Sequence, residues 1–139
     1  MPLDPARIEH TKNWIEIAQA DLRGADWNLK AKPPLLEFSL FHAQQAIEKM
    51  MKAFLLWHDV RFQKIHDLGK LGKMCCEIDS SLFELAEKAA PPTEFAVQFR
   101  YPEENDPPTL REAKSGISLA KKIHREILKR LPKECRAHP

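Results

Sequence analysis

FHAQQAIEKMMKAFL, residues 41–55, decides the fold. Ile47, Met51 and Phe54 recur at spacings of four and three, and Leu36 and Leu40 carry the same stripe toward the N-terminus. Phe41, Met50 and Leu55 widen it. That period is helical, since a half-buried strand would alternate apolar and polar residues. The spacing predicts one helix from about Leu35 to His58, roughly 35 Å long at 1.5 Å per residue.

The same period appears on both sides. Upstream, Ile15, Ala18, Leu22, Ala25 and Leu29 form one apolar stripe and predict a helix from about Thr11 to Lys30. Downstream, Leu110, Ala113, Ile117, Ala120, Ile127 and Leu131 share a face. Thr109 with Glu112 three positions later makes a capping box at its start, and Pro132 stops it. Shorter pieces lie between. Asp67 is placed to cap a helix to about Ile78, and Ser81 with Glu84 to open another to about Ala90. In PTEFAVQFRYP, Phe95, Val97, Phe99 and Tyr101 alternate like a strand, but no second strand candidate exists to pair with them. A short helix or turn with an extended exit is expected there.

Prolines punctuate these stretches at Pro33–Pro34, Pro91–Pro92, Pro107–Pro108 and Pro132, where the missing N–H and ring clash bound each helix. The expected architecture is all-α, an up-and-down bundle of about five helices, three long and two or three short. The 139 residues read as a single domain, with 132–139 expected as a flexible tail.

Twenty-two basic residues against 20 acidic ones leave local patches, rather than global charge, to steer any partner. No apolar run approaches the roughly 18 residues of a membrane span. The opening MPLDPARIEH has no apolar core of a signal peptide. Cys75, Cys76 and Cys135 form no C-x-x-C pair and read as free thiols of a reducing cytoplasm.

Several chemistries are excluded. A di-iron bundle needs Glu-x-x-His on facing helices. The positions three before the six histidines hold Arg7, Ser39, Leu55, Gln63, Lys121 and Cys135, and none is acidic. There is no H-E-x-x-H, no G-x-S-x-G and no glycine-rich phosphate loop. Neither a metal nor another cofactor is expected.

FHAQQAIEKMMKAFL (41–55), IHDLGKL (65–71) and FRYP (99–102), in that order and spacing, resemble the HEPN domain, the higher eukaryotes and prokaryotes nucleotide-binding domain. The resemblance covers nearly the whole chain. It implies a bundle of about five helices, usually a homodimer. The family includes metal-independent ribonucleases, toxins whose antitoxin is a small nucleotidyltransferase, and members with no known activity. Its catalytic members carry an arginine, four to six arbitrary residues, then a histidine, and Arg61 with His66 fits that spacing. Phe62 stands where those members usually have a polar residue, and Leu68 where the paired toxins often have tyrosine.

Such a pair has a physical rationale. RNA is cut without metal when its own 2′-hydroxyl attacks the adjacent phosphorus, given a base, an acid and positive charge on the phosphate oxygens. Histidine titrates near neutrality, and arginine grips phosphate through paired hydrogen bonds. One chain offers one such histidine, so a two-fold dimer would complete the site. Arg61 and His66 converge only if the chain leaves the helix near Asp59 and turns before Asp67. Arg100 and Tyr101 are expected to close the fold or to line the dimer cleft, where they would meet RNA or nucleotide. Lys121 and Arg125, in a basic stripe with Lys114 and Lys129 and flanked by Lys122 and Arg130, are expected as a phosphate track. His42 reads as a packed, satisfied histidine, and Gln44 and Gln45 as interhelical hydrogen-bonding groups.

Overall fold

The computed structural model describes residues 3–90 and 107–136. Among them the chain forms five α-helices and two 3-10 turns, with no strand. The helices are α1 (Pro5–Leu29), α2 (Leu36–Trp57), α3 (Leu68–Ile78), α4 (Phe83–Ala89) and α5 (Leu110–Lys129). The all-α bundle is the observed class. The segment PTEFAVQFRYP lies outside the described residues.

Helix α1 begins earlier than its apolar stripe. Asp4 caps it, its carboxylate accepting from the Ala6 N–H at 3.0 Å, and a proline occupies the first turn, where its missing donor costs nothing. Four ties show that α1 and α2 run antiparallel. The Ser39 hydroxyl donates to Ala25 O at 2.6 Å, and His42 meets Asp21 at 3.0 Å. Lys49 and Lys52 lie over the Trp14 ring, and Arg7 donates to Trp57 O at 3.4 Å, satisfying a carbonyl at the end of α2.

Helix α5 runs parallel to α2. Its Gly116 sits on Leu40, where a Cβ would collide with the leucine side chain, so the absence of one permits the close approach. Farther along, Ile123 and Ile127 meet Met51, with Cys75, Leu82, Leu85 and Ala86 around them. The Thr109–Glu112 capping box forms in full, both bonds at 3.1 Å. The core is Ile15, Ile47, Met50, Phe54, Leu55, Leu71, Ile123 and Ile127, all buried.

Three expectations are corrected. Phe41 and Leu110 sit on the expected stripes but are exposed, 38% and 45%, at the rim of the faces they belong to. Ser81 does not open α4. Asp79 caps the preceding 3-10 turn instead, accepting from Ser81 N–H at 3.0 Å, and α4 follows without a side-chain cap. Finally, Lys133–Cys135 is a 3-10 turn against α1, and Cys135 is fully buried, so the start of the expected tail is packed.

Candidate active site

The site forms where α2 ends and the chain turns toward α3. Glu48 and Lys52 lie one turn apart on α2, and their side chains are only 7% and 5% exposed. The ammonium meets the carboxylate at 2.9 Å and sits 5.7 Å from the ring centroids of both Trp14 and Phe62. Those two rings touch edge to face at 5.7 Å. Lys52 thus exchanges water for one carboxylate and two aromatic faces.

The connection to α3 contains no glycine in residues 58–67, yet it makes two tight reversals. Asp59 adopts φ 58. Its N–H donates to Leu56 O at 3.0 Å and the Val60 N–H to Leu55 O at 2.9 Å, the paired bonds that close a helix C-terminus. Lys64 adopts φ 61 in a second turn closed by Ile65 N–H to Phe62 O at 3.0 Å. Asp67 then caps α3 through Gly69 N–H (2.8 Å) and Lys70 N–H (3.2 Å). These are the turns that the sequence required between Asp59 and Asp67.

The loop returns His66 to α2. Its Nδ1 lies 3.1 Å from Glu48 Oε2 and 3.3 Å from Lys52 Nζ, while its side chain stays 70% exposed. The carboxylate is the nearer partner, and a charge-assisted bond to it outweighs one from the ammonium, which is already bound to the same oxygen. We therefore assign Nδ1–H as the donor to Glu48, which leaves Nε2 of the exposed ring without a partner among the described residues. Burial pushes the Glu48 carboxyl up, but hydrogen bonds from Lys52 and His66 and the charges of Lys52 and Lys49 outweigh it. The carboxyl is held below its ordinary value and stays ionised. A fixed carboxylate, an oriented imidazole and a buried cation can together accept and return a proton.

The other predicted residues divide. Arg61 is exposed between the two turns and makes no hydrogen bond or ion pair with the described residues. It shares the loop with His66 but is not drawn onto Glu48. Arg100 and Tyr101 lie outside the described residues. Lys121 is held by Asp26 at 3.0 Å, and Arg125 is exposed. His42 is satisfied by Asp21. Gln45 accepts from Lys49 at 3.0 Å within α2, so its bond is not interhelical. Arg130 leaves the basic stripe and clamps the α3–α4 junction, through Asp79 at 3.0 Å and Ser81 Oγ at 2.8 Å. Trp14, which faces Lys52 of the His66 site, and Asp26, which faces Lys121, are twelve residues apart on α1, about 120° around the helix. The basic stripe and the His66 site therefore flank α1 on different sides.

Sequence reasoning missed Glu48, Lys52 and Trp14. The signal was present in EKMMK, residues 48–52, an i,i+4 acid–base pair of the kind that usually faces solvent. Here it lies in a half-helix whose neighbours Met50, Met51, Ala53, Phe54 and Leu55 are all buried. Such a crowded segment leaves little surface for it.

Fold and site together define a small all-α bundle that seats an exposed histidine on a buried carboxylate–lysine pair. The chain is a member of the HEPN domain family, whose model matches residues 11–131, from within α1 to just past α5. This supports a nucleotide- or RNA-related function at the level of the family. Comparison with curated proteins and with solved structures finds no match. Among the described residues no helix is long and apolar enough to cross a membrane, and no three His, Cys, Asp or Glu side chains gather as metal ligands.

Proposed function

We propose that this HEPN protein cleaves RNA by transesterification, as a homodimer with His66 at the reacting atoms. The carrying observation is the 3.1 Å contact of His66 Nδ1 with an ionised, buried Glu48, on a ring that is otherwise exposed. In this reading Nε2 of His66 takes the 2′-hydroxyl proton as the 2′-oxygen bonds to phosphorus. The bond from phosphorus to the 5′-oxygen breaks, and His66 of the partner subunit returns a proton to the leaving oxygen. Arg61, exposed and without a hydrogen-bond or ion-pair partner among the described residues, neutralises the phosphate oxygens. Glu48 and Lys52 position the imidazole. The products are a 2′,3′-cyclic phosphate and a 5′-hydroxyl, with no metal in the step.

A binding module without turnover, paired with a nucleotidyltransferase, is the second reading. Phe62 favours it, because the residue after the arginine is spent on the aromatic wall around Lys52 and gives no polar group to the site.

Labelled total RNA incubated in EDTA separates the two. The nuclease reading expects cleavage with cyclic phosphate ends, reduced about a hundredfold or more in His66→Ala and Arg61→Ala. Full activity in His66→Ala overturns the mechanism. No cleavage by the unaltered protein leaves the binding module.

A further inference from the structure

The flank of α1 away from His66 carries a feature that the proposed chemistry does not use. Two shallow pockets, of about 400 and 420 Å³, lie side by side along α5. Lys121 and Arg125 line both, so the two form one trough. Lys114 stands at one end and Lys129 and Arg136 at the other, with His124 and Leu128 between. The charges are unequally engaged. Lys121 is held by Asp26, Lys129 is bound by Glu126 at 2.9 Å, and Arg136 reaches the Leu128 carbonyl at 3.5 Å. Lys114 and Arg125 are exposed and make no hydrogen bond or ion pair with the described residues.

Shape decides among anionic ligands. Lys114 and Arg125 are eleven residues apart on one helix, roughly 16 Å at 1.5 Å per residue. A single phosphate would need its cations to converge, whereas these are strung out along an open trough. An extended polyanion matches that row, and each phosphate it seats releases condensed counterions.

We propose that the α1–α5 trough is a second site, which binds the phosphodiester backbone of single-stranded RNA through Lys114, Arg125 and Lys121, with Asp26 as a competing anion that holds Lys121 back. The site is separate from His66 and does not depend on the cleavage reading. Because α1 stands between the two, an RNA held in the trough must pass around that helix to reach His66 of the same protomer.

The test uses the full chain carrying His66→Ala, so that cleavage cannot intervene. Binding of a fluorescein-labelled oligouridylate is followed by anisotropy across a salt series. Lys114→Glu with Arg125→Glu should weaken binding about tenfold or more. It should also flatten the dependence of log K on log salt by about 1.4, at about 0.7 for each phosphate that is no longer neutralised. Asp26→Asn should strengthen binding by freeing Lys121. Neither exposed cation has a partner to lose among the described residues, and an unchanged thermal melt checks the fold. Unaltered affinity and slope in the double variant overturn the proposal. So does full displacement of the RNA by millimolar inorganic phosphate at constant ionic strength, which would mark a point site instead of a backbone track.

Discussion

His66 and Glu48, eighteen positions apart, meet at 3.1 Å through Nδ1 and Oε2, and the same carboxylate oxygen holds Lys52 at 2.9 Å. One acidic side chain therefore both neutralises a buried cation and orients an exposed imidazole. Its removal should act on stability and on chemistry separately.

Glu48→Ala leaves the Lys52 ammonium buried without its carboxylate, and the loss should be about 3–5 kcal/mol in urea denaturation. Replacing both partners by apolar residues, Glu48→Leu with Lys52→Met, should recover most of that loss, because no unpaired charge remains. A double variant as unstable as Glu48→Ala would show that the pair itself, and not the stranded lysine, carries the stability.

The two reversals in the connection to α3 place Asp59 and Lys64 at positive φ. Side chains disfavour that region by about 1 kcal/mol, a penalty that glycine escapes. Asp59→Gly and Lys64→Gly should each leave stability unchanged or raise it by up to about 1 kcal/mol, whereas Asp59→Val should lower it. A marked loss in both glycine variants would contradict the backbone geometry.

Stability should fall as pH drops below about 6.5. Burial lowers the pKa of His124 from 6.5, and its Nε2 has no partner among the described residues. His58 is lowered too, by burial and the charge of Arg7, with Asp79 opposing. The unfolded chain then binds these protons first, and stability is lost as pH falls through the unfolded value toward the folded ones. Glu48, lowered from 4.5, adds a second loss below that value. Melting temperatures from pH 8 to 4 check this, and His124→Leu should shrink the first step.

Burial and the neighbouring Cys76 push the Cys75 thiol up to about 12, and its Sγ reaches the Met51 carbonyl at 3.7 Å. Cys76 is half-buried beside the α3–α4 groove. Native protein treated with iodoacetamide should therefore be labelled at Cys76 well before Cys75 or the buried Cys135, read by peptide mass mapping. Labelling of Cys75 first would mean that α3 opens locally.

The helices were legible because their signals are local. Asp67 and Thr109 cap where read, and the apolar stripes of α1, α2 and α5 turn inward at Ile15, Ile47 and Ile127. The start of α1 is written in Asp4-Pro5, a cap followed by proline, but the apolar stripe itself begins only downstream. The Ser81 box did not form because the Ser81 hydroxyl donates to Asp79, and Arg130, fifty-one positions from Asp79, holds both residues. No local rule contains that partner. The site was half legible for the same reason. His66 was marked as a candidate by the resemblance and its spacing from Arg61, while Glu48 and Lys52 join the candidate site only through His66, Trp14 and Phe62, which is a tertiary event.

The chain from His58 to Asp67 is closed by backbone bonds at both turns and by a cap at its exit. Its conformational entropy is thus surrendered during folding and not during encounter with a ligand. Arg61 and His66 sit on a frame already shaped, and with His66 held by Glu48 it is the Arg61 side chain that would remain to be ordered on the proposed encounter with a phosphate. Glycine in place of Asp59 or Lys64 would relieve the backbone, yet it would hand back some of this rigidity.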